Sequence, residues 1–224
     1  MGADLDGSPI IAVLTGDIID STALGGERLA LARRSLASAV QAFETRYSGA
    51  LLAAPEFFRG DAWQLALSRP ELSLRLSLLL SARLRSELDV RTRVAIGLGS
   101  ADGMTGLSST SIGESFQLSG RALDAMTGYY TLAVDLPERA GATREWVRLC
   151  INLCSRLTQT WTRRQAEIVA VALMTSPPNH AAIAASLTPK VAKQTVTKAL
   201  DGAHWHWLLD AVKTFETADW SVIL

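Results

Sequence analysis

The sequence predicts an α+β fold: an α/β sandwich of sheet and helices, followed by an all-helical tail. Three observations predict it. Hydrophobic periodicity switches between strand-like and helix-like patterns as far as Val134, and strand signals cease after Pro137. The chain has 224 residues, 48% hydrophobic and 20% charged, which suits a protein with a substantial core. Its longest apolar runs, such as Ile10 to Leu14 and Leu76 to Leu80, are too short to span a bilayer, so no membrane partner is expected.

Ile10 to Leu14 is a continuous apolar run, the signature of a central strand covered on both faces. It ends at Thr15-Gly16-Asp17, and Ser21-Thr22 offers a cap for a helix reaching about Tyr47. Leu24, Leu29, Leu31, Leu36, Val40 and Phe43 give that helix its apolar stripe. Ala50 to Phe58 and Ala62 to Leu67 flank Arg59-Gly60-Asp61 and read as a hairpin. Pro70 opens a second helix carrying Leu72, Leu76, Leu79, Leu80, Leu84 and Leu88. Arg91 to Gly99 alternates like a strand, a glycine- and serine-rich loop covers Ser100 to Ser111, and Gly113 to Met126 reads as a helix before a strand at Tyr130 to Val134. The βαββαβ order, with a further helix and strand, points to a ferredoxin-like core.

The tail reads as helices over 143–157, 162–174, 179–187, 189–200 and 204–216. This divides the chain into an α/β domain at 1–140, a connector helix at 141–160 and a helical domain at 161–224. Thr162 and Gln165 form a capping box, Asn179 can cap the next helix, and Pro189 stands at a favoured first helical position. A short helix, a turn and a second helix match the helix-turn-helix, with Ile183, Ala184, Leu187, Val191, Val196 and Leu200 as shared core. The exposed side of Pro189 to Leu200 then carries Lys190, Lys193, Gln194, Thr195, Thr197 and Lys198, a set suited to phosphates and base edges, and DNA is the expected partner. A solvated helix in a packing or dimerisation module fits the same residues. His204-Trp205-His206-Trp207 does not converge as metal ligands on a helix; the tryptophans are expected to pack. Cys150 and Cys154, one helical turn apart without other ligands nearby, read as reduced residues of a cytoplasmic protein.

Two aspartates stand out by position. Asp17 follows the first strand and Asp61 occupies the hairpin turn, places that a ferredoxin-like sheet can bring side by side. Paired carboxylates repel unless a cation neutralises them, and oxygen ligands of this kind suit Mg²⁺ or Mn²⁺. A turn cap and an ordinary β-turn residue account for the same two positions.

The run Gly16-Asp17-Ile18-Ile19-Asp20-Ser21-Thr22 resembles the first metal motif of the class III adenylate and guanylate cyclases. Arg59-Gly60-Asp61-Ala62 resembles their second, and Gly113-Glu114-Ser115-Phe116-Gln117-Leu118-Ser119-Gly120-Arg121 their nucleotide helix. The resemblance spans roughly residues 9 to 135 in the family's order. It implies a class III cyclase-like core in which Asp17, Asp61 and the backbone carbonyl of Ile18 hold the metals. It also implies a homodimer, in which Arg121, with Gln117 in the preceding asparagine's place, acts on nucleotide held by the partner. Phe57 stands where the family's base-selecting lysine lies, and a phenyl ring cannot donate to a purine edge. Arg59 offers a charge near the phosphates in compensation. Gly16-Asp17-Ile18-Ile19-Asp20-Ser21, Gly60-Asp61-Ala62-Trp63-Gln64 and the helical tail together are similar to the SatD family of bacterial proteins, over nearly the whole chain.

The combined expectation is a regulator with a divergent, metal- and nucleotide-binding cyclase-like domain and a DNA-binding tail. An active Mg²⁺- or Mn²⁺-dependent nucleotidyl cyclase or phosphotransferase, and a dimeric scaffold with vestigial sites, are the alternatives.

Overall fold

The computed structural model describes residues 9–58, 60–101, 113–175 and 179–224. Strands β1 (Ile10–Ile18), β2 (Glu56–Phe58), β3 (Ala62–Leu67), β4 (Thr92–Ser100) and β5 (Leu132–Asp135) form one sheet in the order β2-β3-β1-β4-β5. Neighbours among the first four are antiparallel, and β5 joins β4 in parallel. The protein is therefore a mixed α+β fold around a five-stranded mixed sheet.

Helices α1 (Ser21–Arg46) and α2 (Ser73–Leu88) cover one face, and α3 (Glu114–Asp124) covers the other. Strand alternation explains the division. Ile10, Ala12, Leu14 and Ile18 of β1 enter the large core with Leu36, Val40, Phe43, Leu76 and Leu80. Ile11 and Val13 point the other way and meet Phe116 of α3. Further along that second face the contacts turn polar: Thr15 hydrogen-bonds Ser119 at 2.8 Å, and Asp17 ends the row. Gly97 lets α3 lie directly on β4, because an added Cβ would meet the Ser115 carbonyl and Ser119.

Several sequence expectations need correction. Asp17 lies within β1, not after it. The hairpin's first strand is only Glu56–Phe58; Pro55, with no N–H to offer a ladder, precedes it, and upstream only Leu51 bridges to Leu67. The cap position of α1 is Asp20, at φ 56, with no side-chain capping bond. The helix also breaks its phase at Gly25 (φ 74), which leaves Leu31 on the outer side while Ala32, Leu36 and Ala39 face inward. Pro70 begins a single 3-10 turn, Pro70–Leu72, ahead of α2.

The tail comprises α4 (Ala142–Thr158), α5 (Arg163–Met174), α6 (His180–Ser186), α7 (Lys193–Gly202), α8 (Trp205–Thr217) and α9 (Trp220–Ile223). Thr162 and Gln165 form the expected capping box, and Asn179 accepts from the amides of Ala181 and Ala182. These helices do not stand apart from the sheet. Ile168, Leu173, Trp161, Leu208 and Val212 belong to the same continuous core as α1 and α2. Arg75 of α2, 7% exposed, pairs with Glu216 of α8 and donates to the Leu173 carbonyl at 2.6 Å. Burial alone lowers the Arg75 pKa, but the hydrogen bond and charge of Glu216 more than reverse this, so the cation is held. Among the described residues, no helix is long and apolar enough to cross a membrane.

Candidate functional site

The cross-strand register explains the most polar end of the sheet. In the β1–β4 ladder Asp17 stands opposite Arg93, so both side chains leave the same face and meet. Arg93 grips Asp17 through both guanidinium arms, with Nε to Oδ1 at 2.9 Å and Nη2 on Oδ2. The Arg93 pKa is raised, first by the Asp17 hydrogen bond, against a cost of partial burial, and further by the charges of Asp17, Asp61 and Asp124. The Asp17 backbone carbonyl is fixed as well. Trp63 Nε1–H donates to Thr92 Oγ1 at 3.2 Å, and the Thr92 hydroxyl donates to the Asp17 carbonyl at 2.6 Å.

Asp61 reaches the same place from the hairpin turn. Its Oδ2 accepts from the Ser21 hydroxyl at 2.5 Å, which ties the turn to the first residue of α1. Arg33 of α1 donates to the Gly60 carbonyl and lies 5.9 Å from the centroid of the Phe57 ring, bracing the turn from outside. Phe57 itself is half-buried against the main core.

Asp17 and Asp61 line an open cleft of about 380 Å³, with Arg93 on β4, Arg91 just before it, and Tyr130, Thr131 and Gln159 beyond them. Ile18 lines it too, its side chain buried. The carboxylates and arginines together give the cleft both signs of charge. A divalent ion has two carboxylates within one cleft, but both Asp17 oxygens are already satisfied by Arg93. Among the described residues, no group of three or more Asp, Glu, His or Cys side chains is placed to hold a metal. As the side chains stand, the donor set does not fit a bound cation unless Arg93 releases Asp17.

Arg121 and Gln117 are not brought to this cleft within one chain. Both lie exposed on α3. Arg121, with 66% of its side chain exposed, is 3.9 Å from Asp135, a residue in register with Gly97 and so further along β4 than Arg93. Asp135 is mainly held by Arg148 at 2.7 Å and Arg144 at 2.9 Å. Arg59 lies outside the described residues.

In the tail, α6 and α7 pack through Ile183, Ala184, Val196 and Leu200, as expected. The second helix starts at Lys193, not at Pro189. The Val191 amide bonds back to the Ala184 carbonyl at 3.3 Å, keeping the chain in a turn until Ala192, which caps in extended conformation. Lys190 thus belongs to the turn, while Lys193, Gln194 and Thr195 form the first exposed turn of α7 and Lys198 the next. Thr197 is half-buried and bonds His180 Nδ1 at 2.9 Å, so it braces α6 against α7. Trp205 is buried beneath α7, but Trp207 is 65% exposed and stacks on His204.

Arg93 and Thr92 are the residues of this site that the sequence does not single out. The alternation of β4 placed Arg93 on a definite face, yet its partner depends on a register between strands far apart in the chain. Comparison with known proteins finds no family model that matches this chain and no curated protein similar to it.

Proposed function

We propose that the protein is a nucleotide-responsive DNA-binding regulator: the cleft beside the ends of β1 and β4 and the hairpin turn takes a nucleotide with its divalent ion, and α6–α7 contact duplex DNA. The observation that carries the reading is the convergence of Asp17, Asp61, Arg91 and Arg93 on one cleft. A nucleoside triphosphate brings phosphates for the arginines and a cation for the carboxylates, so its arrival exchanges the Asp17–Arg93 pair for two new ones. The strand order β2-β3-β1-β4, with helices crossing between, supports a ferredoxin-like, class III cyclase-like core for this part. The carboxylate already neutralised by Arg93 and the phenyl ring of Phe57 favour binding over turnover.

For the tail, the exposed first turn of α7 supports major-groove docking, in which a recognition helix leads with its N-terminal residues. Fluorescence-anisotropy titration of the full chain with mixed-sequence duplexes tests this half. Binding should fall with salt, and Lys193→Ala should weaken it and reduce the salt slope by about one. Binding untouched by that change removes α7 from the interface.

An active cyclase or phosphotransferase is the second reading, favoured by the exposed and loosely paired Arg121. Incubation with Mn²⁺ and each nucleoside triphosphate separates the two. Cyclic product lost in Asp17→Ala and Asp61→Ala establishes catalysis, and binding without product supports the sensor.

A further inference from the structure

Helix α4 runs back along β5 and buries Ile151, Cys154, Ser155 and Thr158 against the sheet edge and α8. Ser155 secures this face, its hydroxyl accepting from the Thr131 and Leu132 amides at 2.7 and 3.1 Å. The opposite face is apolar and open. Trp146 is 71% exposed, Leu149 48% and Leu153 60%, three of the most exposed large hydrophobic side chains among the described residues. With Ala142 and Arg156 these residues recur at alternating spacings of four and three, and all are exposed. That is the seam of two packed helices, narrower than the stripe a globular core demands.

The charges along the seam select the occupant. Glu145, paired with Arg148 of its own helix at 3.1 Å, stands at the N-terminal end and Arg156 at the C-terminal end, with the leucines between them. Laid antiparallel on itself about Ile151, the helix sets Leu149 opposite the partner's Leu153 and Trp146 opposite the partner's Arg156. Glu145 then also lies beside the partner's Arg156. The leucines of the two copies then meet each other, and both the ring and the acid meet a cation. A lipid surface is the less suited occupant, because Arg144 and Arg148 are already committed to Asp135 and the whole chain carries no net charge.

We infer that the outer face of α4 is a homodimer seam, docking antiparallel on α4 of a second copy. The inference does not depend on what fills the cleft. A helix of this length offers about 25 Å of seam, which places the interface toward the small end of specific ones.

Sedimentation equilibrium of the full chain tests it. The wild type should approach twice the 24.1 kDa chain mass at micromolar concentration. Leu149→Glu with Leu153→Glu should weaken association by roughly tenfold or more. Glu145→Arg and Arg156→Glu should each weaken it, and their combination should recover it. All four side chains are exposed, so the fold tolerates these changes, and the charge reversals give an independent reading should the leucine variant melt early. A monomeric wild type, or a dimer indifferent to the leucine changes, overturns the seam; failure of the double reversal to recover overturns the antiparallel register. Flotation of the wild type with phosphatidylcholine–phosphatidylglycerol vesicles, abolished by the leucine changes, would assign the face to lipid instead.

Discussion

Replacing Glu216 by alanine strips the buried Arg75 guanidinium of its counter-ion. Arg75 is 7% exposed and Glu216 22%, and their two hydrogen bonds join α2 beneath the sheet to α8 in the tail. Removing one partner of such a pair leaves a charge without compensation, a loss of about 3–5 kcal/mol. The Leu173 carbonyl still accepts from Nη1, and the Tyr47 ring remains 5.9 Å away, so the lower end applies here. A loss of about 3 kcal/mol corresponds to a fall in Tm of roughly 6–12 °C for a chain of this size. Circular dichroism melts of the full chain measure it. Glu216→Gln, which keeps an acceptor, should fall by less, and Arg75→Met in the Glu216→Ala background should restore most of the loss by removing the orphaned charge. The unfolding should remain a single transition, because both halves of the chain share one core. A change in Tm of under about 2 °C in Glu216→Ala, or two separate transitions in the wild type, would refute this account of how the tail is attached.

Two further outcomes follow from local geometry. Gly97→Val drives a side chain into the Ser115 carbonyl and Ser119, lifting α3 from β4 at a cost of about 1–3 kcal/mol; an unchanged melting temperature would contradict the close packing. The Cys154 thiol donates a hydrogen bond that pulls the Cys150 pKa down to about 7 against the opposing effect of burial, and the Cys154 pKa is pushed up by the same bond and by burial. Since the thiolate is the reactive form, iodoacetamide should modify one cysteine with a midpoint near that value. Cys154→Ala should move the midpoint up toward about 8.5, and a wild type that reacts only there would show the pair is not coupled.

What the sequence made legible is what depends on neighbours along the chain. The capping box of Thr162 and Gln165, the Asn179 cap and the burial of Ile183, Val196 and Leu200 are set within a few residues and appear as expected. The start of α7 departs from the local rule for proline because the Val191 amide is held by the Ala184 carbonyl, earlier in the chain. Asp17 and Asp61 were visible as candidates and do line one cleft. Arg93 was not, because its partner is 76 residues away and only the β1–β4 register makes them neighbours. The same holds for Arg75 and Glu216, separated by 141 residues. Long-range ion pairs leave no periodicity to read, yet here they decide how the cleft is charged and how the tail is attached.

Titration calorimetry of the full chain with each nucleoside triphosphate in the presence of Mn²⁺ tests the proposed role of the cleft most directly. Saturable binding of at least one nucleotide is predicted, lost in Asp61→Ala and weakened at least tenfold in Arg93→Ala as a phosphate contact disappears. No binding heat with any nucleotide, or binding indifferent to both substitutions, would contradict it.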